Sequence, residues 1–127
     1  MFISQSNNQN HNYFMNLALK QAQITLGNTK TNPAVGCVVT KNNNVVSAGH
    51  TSINGRPHAE QNALCDCAKR GVSCENSVAY ITHYPCIICC RLLIASGIKK
   101  IKYINDYKND KLVKHFCELS NIIIEKI

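Results

Sequence analysis

The sequence predicts an α/β fold, a five-stranded mixed sheet covered by helices in an α/β/α sandwich, with strands four and five parallel. Three observations carry this. Short apolar runs alternate with helical-period segments in the order α-β-β-α-β-α-β-α-β. An asparagine-rich turn joins the first two strands as an antiparallel hairpin. From the second strand onward strands alternate with helices, which requires parallel strands and crossover connections.

The first helix is read from Asn12 to Leu26, where Phe14, Leu17, Ala18, Ala22 and Leu26 recur at helical spacing and Gly27 follows as a stop. Residues 1–11 are polar and uncharged over Ser4, Gln5, Asn7, Asn8, Gln9 and Asn10. They are expected to form a flexible terminus. Thr29 to Pro33 is a loop. Val35 to Thr40 and Val45 to Gly49 are strands one and two, and Lys41-Asn42-Asn43-Asn44 supplies the positive-φ positions of the turn between them. Thr51 to Pro57 is a second loop. A helix then runs from His58 to about Arg70 and ends at Gly71. Ser77 to Thr82 alternates as strand three. Pro85 fits the first turn of the next helix, which stops at Gly97. Ile98 to Ile104 is strand four, Lys108 to Leu119 a helix, and Asn121 to Glu125 strand five.

The chain has 127 residues, which suits a single domain (1–127) with one core, and 45% of them are hydrophobic, too many for a disordered chain. No apolar run is long enough to span a membrane, and the N-terminus lacks the basic start and apolar stretch of an export signal, so a cytoplasmic location is expected. Eight cysteines without such a signal read as free thiols in a reducing compartment. The formal charge is +7, and much of it lies late, at Lys99, Lys100, Lys102, Lys108, Lys111 and Lys114. A basic surface favours an anionic partner, either a nucleotide phosphate or a nucleic acid; solvated helix and strand ends are the plain alternative.

The chemistry is concentrated in two short motifs. His58-Ala59-Glu60 opens the second helix, and Pro85-Cys86-Ile87-Ile88-Cys89 opens the third. Strands two and three are expected to run parallel, so both helix N-termini fall at the carboxyl edge of the sheet, where open α/β sheets build their sites. Cys86 and Cys89 are three apart and face one side of a helical turn whose unpaired N–H groups favour thiolates. One imidazole and two thiolates form a three-ligand set for zinc that leaves a fourth position for water. A carboxylate two residues from the imidazole is placed to move that water's proton.

Taken singly, each residue has a plainer reading. His58 alone is a helix cap, and Glu60 alone an acid in a first helical turn. Cys86 and Cys89 alone are a redox pair or half of a structural zinc site. Together the motifs read H-x-E followed by P-C-x-x-C and resemble the signature of the zinc deaminases. Cys90 should turn about 100° away from Cys89 on the helix, so Cys89 is the expected ligand. Cys65, Cys67 and Cys74 could form a second metal site with Cys117 or His83, or be small buried residues. Cys37 reads as sheet core.

From Asn32 to Tyr107 the chain resembles the cytidine and deoxycytidylate deaminase superfamily. His58-Ala59-Glu60-Gln61-Asn62-Ala63-Leu64 is similar to its zinc-binding helix. Tyr80 to Cys89, with Ala95-Ser96-Gly97-Ile98-Lys99 and Tyr103, resembles the deoxycytidylate (dCMP) deaminases and the related late-competence proteins. Thr31 to Val39, with Gly55-Arg56-Pro57-His58-Ala59-Glu60, looks more like the deaminase domain of riboflavin-biosynthesis enzymes. Three departures stand out. The riboflavin-type enzymes usually carry a longer insert between the zinc cysteines. The tRNA adenosine deaminases usually carry Glu where Tyr84 stands. The Gly-Tyr-Asn-Gly segment usual in dCMP deaminases is not matched by Gly49 to Gly55.

The resemblance implies a cytidine-deaminase-like sandwich with one zinc ion per chain, held by His58, Cys86 and Cys89, and Glu60 as the catalytic acid-base. It implies that Asn32 hydrogen-bonds a substrate sugar, that the Ala59 backbone N–H holds a ring oxygen, and that Tyr84 lines the base pocket. The expected activity is zinc-dependent hydrolytic deamination of an aminopyrimidine nucleotide, with dCMP converted to dUMP and ammonia. The alternatives are the riboflavin-pathway aminopyrimidine, a base in tRNA or a free base, and a non-enzymatic zinc-stabilised module that binds nucleic acid. The expected partners are a small-molecule nucleotide and further copies of the chain in a homo-oligomer, with nucleic acid a lesser candidate and no membrane.

Overall fold

The computed structural model describes residues 2–127, with side chains from residue 10 onward. Its elements are α1 (Phe2–Gln23), β1 (Gly36–Lys41), β2 (Asn44–His50), α2 (Ala59–Arg70), β3 (Val78–His83), α3 (Ile87–Ala95), β4 (Lys100–Asn105), α4 (Lys111–Leu119) and β5 (Ile123–Lys126). The order is the one the sequence predicts. Among the described residues no helix is long and apolar enough to cross a membrane.

The strands lie in the order β2-β1-β3-β4-β5. β1 is antiparallel to β2 and to β3. β3, β4 and β5 are mutually parallel. β2 and β3 therefore share a direction but are not neighbours. β1 lies between them: the crossover through α2 passes over β1 and adds β3 to its free side, leaving β2 as an edge strand. Both still end at the same edge, which is what the site requires.

One face of the sheet is covered by α1, where Phe14, Met15 and Ala18 pack on Val38 and Tyr80. The other face carries α2, α3 and α4, with Ala63, Leu93 and Val113 packed on Cys37, Val39, Ile81 and Ile101. Ile81, Leu93, Ile98 and Ile101 are fully buried, each contributing about 1.5–3 kcal/mol through its removal from water. Two glycines permit close approach. A Cβ on Gly36 would lie 1.7 Å from the Ala18 carbonyl oxygen, and one on Gly49 would lie 2.4 Å from the Ala63 nitrogen. α1 and α2 therefore lie directly against strand backbone.

Most element ends differ from the sequence reading by one to three residues, α4 for example starting at Lys111 rather than Lys108 and β5 at Ile123 rather than Asn121, and the larger differences have physical reasons. α1 is longer at its start, beginning at Phe2 rather than Asn12. The polar run contains neither Gly nor Pro, and a formed helix gains a hydrogen bond for each residue added. α1 also stops at Gln23, and residues 24–27 form turns closed by bonds such as Asn28 N–H to Thr25 C=O at 2.8 Å. Pro85 lies before the cap of α3 rather than inside its first turn, because Cys86 itself is the N-cap.

Candidate active site

The two motifs occupy equivalent places. His58 caps α2 with φ −72° and ψ 162°, and Cys86 caps α3 with φ −71° and ψ 164°. An N-cap residue is extended, so its side chain leaves the helix axis and points across the helix mouth. The β3–α3 connection is pinned by β4: Asn105 Nδ2 donates to the Thr82 carbonyl at 2.9 Å, and Asn105 C=O accepts the Tyr84 N–H at 2.8 Å. On the α2 side, the Gln61 side chain accepts the His58 N–H at 2.9 Å.

This brings the predicted ligands together. His58 Nδ1 is 3.4 Å from Cys89 Sγ and 3.6 Å from Cys86 Sγ. All three ligand atoms lie within 4.8 Å of one another, and they form the only such group of three found among the described residues. The spacing and the donor set of two sulfurs and one imidazole nitrogen fit zinc, with no fourth protein ligand at the corner.

The electrostatics prepare the sulfurs for a cation. Cys86 accepts a hydrogen bond from the Cys89 thiol and another from the Cys89 N–H at 3.4 Å, and His58 adds to these. Together they hold its thiol down to about 5. Cys89 is pushed far up, first by donating to Cys86, then by burial and by the nearby Glu60 carboxylate. One proton is thus shared between two sulfurs, and a divalent cation at this position displaces it. Cys89 is fully buried while Cys86 opens to solvent.

Glu60 lies in the first turn of α2 and is only 4% exposed. Burial pushes its carboxyl up to about 7, with the Cys86 charge adding to the effect and its own backbone N–H and His58 opposing it. His58, Glu60 and Cys86 line one cavity together with Asn32 and Tyr84. Asn32 donates through Nδ2 to the Gly55 carbonyl at 2.9 Å. Tyr84 donates its hydroxyl to the Asp110 carbonyl at 3.2 Å and stacks edge-on against Tyr103 at 5.1 Å. Ala59 is fully buried as the first residue of α2, where backbone N–H groups have no partner within the helix.

Thr51, His83 and Tyr107 also line the cavity and were missed by the motif reading. Each follows or ends a strand at the carboxyl edge, so the edge rule would have found them. His83 is held by Thr82 Oγ1 at 2.9 Å, and burial lowers its imidazole. The second metal site is not formed. Cys65 is exposed, Cys67 and Cys74 contact each other, and Cys117 lies 3.7 Å from Cys90 on the far side of α3. Cys90 is turned away as expected, and Cys37 is core.

Residues 8–105 match the model of the cytidine and deoxycytidylate deaminase zinc-binding region. ComE operon protein 2 of Bacillus subtilis is 40% identical over 70 residues, covering 55% of this chain and 37% of that protein. The chain thus spans little more than a third of that relative. Among solved structures, the diaminohydroxyphosphoribosylaminopyrimidine deaminase/5-amino-6-(5-phosphoribosylamino)uracil reductase of Thermotoga maritima superposes with a TM-score of 0.86 at 25% identity, covering 94% of this chain and 37% of that one. The dCMP deaminase of cyanophage S-TIM5 superposes with a TM-score of 0.77 at 28% identity, covering 92% of this chain and 96% of that one. The phage enzyme has also been solved in complex with dCMP and dUMP.

Proposed function

Because the chain belongs to the cytidine and deoxycytidylate deaminase zinc-binding family, we propose that it is a hydrolytic deaminase of an aminopyrimidine nucleotide, with dCMP as the substrate. The observation that carries the reading is a buried carboxylate, Glu60, lining the same cavity as His58 and Cys86, two of the three clustered ligand residues. A purely structural zinc site would close its fourth corner with a ligand and would need no acid-base group.

His58, Cys86 and Cys89 hold zinc, which when bound supplies the Lewis acidity that makes water a competent nucleophile near neutral pH. Glu60 takes a proton as the water oxygen bonds to the amine-bearing ring carbon and gives it to the adjacent ring nitrogen. It then carries the second proton to the departing amine, which leaves as ammonia as the ring carbonyl forms. One carboxylate serves every transfer because they occur in sequence, and a carboxyl near 7 suits both taking and giving. Asn32 spends its Nδ2 on Gly55, so its Oδ1 is the atom offered to a sugar hydroxyl. The Ala59 N–H, at the α2 mouth, donates to the ring oxygen. Tyr84 spends its hydroxyl on Asp110 and so offers its ring as a wall of the base pocket.

The cavity is small, about 60 Å³. It takes the reacting edge of a pyrimidine and leaves the sugar phosphate at the mouth, where a neighbouring copy of the chain would complete the site. Two features favour dCMP: the two-residue spacing between Cys86 and Cys89, and the near end-to-end match to the phage dCMP deaminase. The riboflavin-pathway aminopyrimidine is the second reading, favoured by the higher TM-score to the Thermotoga enzyme. An ammonia-release screen of zinc-loaded protein over dCMP, deoxycytidine, cytosine, the riboflavin precursor and tRNA separates them. Release is expected from dCMP first; release from the riboflavin precursor alone would transfer the assignment to it.

A further inference from the structure

The late lysines, which the deaminase site does not use, are divided by the fold. Lys108, Lys111 and Lys114 stand exposed in and before α4. Lys99, Lys100 and Lys102 instead converge at the other edge of the sheet. β3 and β4 pair in register with Val78 opposite Lys100 and Tyr80 opposite Lys102. Residues on one strand face alternate with a period of two, so Lys100 and Lys102 project to the same side as Val78 and Tyr80. The β1–β2 turn brings Asn42 and Asn43 to this edge, the turn before β3 brings Asn76, and α1 brings His11. Together they line a cleft of about 300 Å³. It opens where β3 begins, whereas the deaminase cavity opens where β3 ends, a separation of roughly 16 Å along the strand.

The charges of this cleft are unbalanced. The chain has seven acidic residues, and none of them lines the cleft. Only Glu125 reaches it, through an ion pair with Lys102. Glu60 is in the deaminase site, Asp66 binds Arg70 and the Ala48 N–H, Asp106 binds Lys126, and Asp110 caps α4. Glu75 packs along Gly97, and Glu118 stands exposed in the last turn of α4. The lysines feel one another: Lys102 is lowered by burial and then by Lys100, and His11 is lowered by burial and by both. The Tyr80 hydroxyl lies 2.5 Å from His11 Nδ1. A neutral His11 accepting there carries its own N–H on Nε2, a further donor.

We propose that this cleft is a phosphate-binding site, taking a phosphoryl group through Lys99, Lys100 and the His11 and asparagine donors. Converging cations with one counter-ion repel one another, and a multiply charged anion relieves that repulsion while accepting several charge-assisted hydrogen bonds. A nucleic-acid strand fits less well. Binding of single strands combines an extended basic track with exposed aromatic faces for stacking. Here the cleft's one Phe, Tyr or Trp, Tyr80, is 3% exposed and packed against Phe14, and the His11 ring is engaged with the Tyr80 hydroxyl.

The test is calorimetric titration of the zinc-loaded protein with inorganic phosphate, pyrophosphate and ribose 5-phosphate, at an ionic strength fixed with sodium chloride. At least one probe is expected to bind with one site per chain. Replacing Lys99 and Lys100 together (Lys99→Gln with Lys100→Gln) weakens that binding about tenfold or more, since charge-assisted bonds are lost. Lys111→Gln with Lys114→Gln leaves it within about twofold, as exposed charges away from the cleft are screened. Tighter binding of ribose 5-phosphate than of phosphate assigns the group to a phosphorylated metabolite, and the reverse assigns it to the free ion. The Lys99/Lys100 variant should keep the wild-type melting temperature and rate of ammonia release, so the result stands apart from that of the deaminase assay. Absence of binding by all three probes, equal affinity in the variant, or tighter binding of a single-stranded RNA through the same lysines would overturn the proposal.

Discussion

At the scale of single residues, the chemistry depends on which sulfur joins the ligand cluster. Cys89 and Cys90 are adjacent and both fully buried, yet only Cys89 joins His58 and Cys86; Cys90 contacts Cys117 and the Val113 carbonyl instead. Cys86→Ala is therefore expected to abolish stoichiometric zinc binding and lower the melting temperature, whereas Cys90→Ala keeps full zinc content and loses only packing. Metal analysis of the two purified variants checks this, and equal zinc in both would refute the ligand assignment. The motif spacing made this choice legible, because a 100° step separates neighbours on a helix. The uses of Tyr84 and Asn32 were not legible. Their hydrogen bonds go to Asp110, 26 residues on, and to Gly55, 23 residues on, and no local pattern encodes partners so distant. Tyr84→Phe removes one part-buried hydrogen bond and is expected to cost about 0.5–1.5 kcal/mol of stability in denaturant unfolding, with the rate of ammonia release little changed.

At the scale of elements, the site is a meeting of two helix mouths, and its precision comes from how tightly each helix is seated on the sheet. Gly49 lets the backbone of α2 touch β2, since a Cβ there would meet Ala63 N at 2.4 Å and Ala59 O at 2.6 Å. Gly49→Ala must push α2 outward and carry His58 and Glu60 with it. The expected cost is about 1–3 kcal/mol, as for other overpacking changes, with weaker zinc retention against a chelator; a variant with wild-type stability and retention would show that this contact is slack. The same contact explains an ambiguity in the sequence. Helical period and the Gly71 stop located α2, but Gly49 read only as the end of a strand. Strand and helix identities followed from periodicity, while ends shifted by a few residues because caps decide them. Cys86 became a cap rather than a helical residue, which moved Pro85 out of the first turn. That β1 would lie between β2 and β3 was also not visible, since alternating strands and helices fix direction and not adjacency.

At the scale of the whole molecule, the carboxyl edge of the sheet holds the proposed deaminase site and the opposite edge the basic cleft, with the length of β3 between them. A zinc ion held by His58, Cys86 and Cys89 would tie α2 to α3 across β1 and β3, two helices that the chain itself connects only through β3. Removing it should therefore loosen the molecule as a whole. A ligand bound to the folded state alone stabilises it by about 2.7 kcal/mol at a hundredfold excess over its dissociation constant. A chelator is expected to lower the melting temperature and abolish ammonia release together, and added zinc to restore both. Loss of activity with an unchanged melting curve would mean that the metal does not bridge these helices. The most direct measurement of the central claim is ammonia release from dCMP by zinc-loaded wild type and zinc-loaded Glu60→Gln. The account predicts equal zinc in both and a rate in the variant lower by a factor on the order of 10² or more; wild-type ammonia release from Glu60→Gln would contradict it.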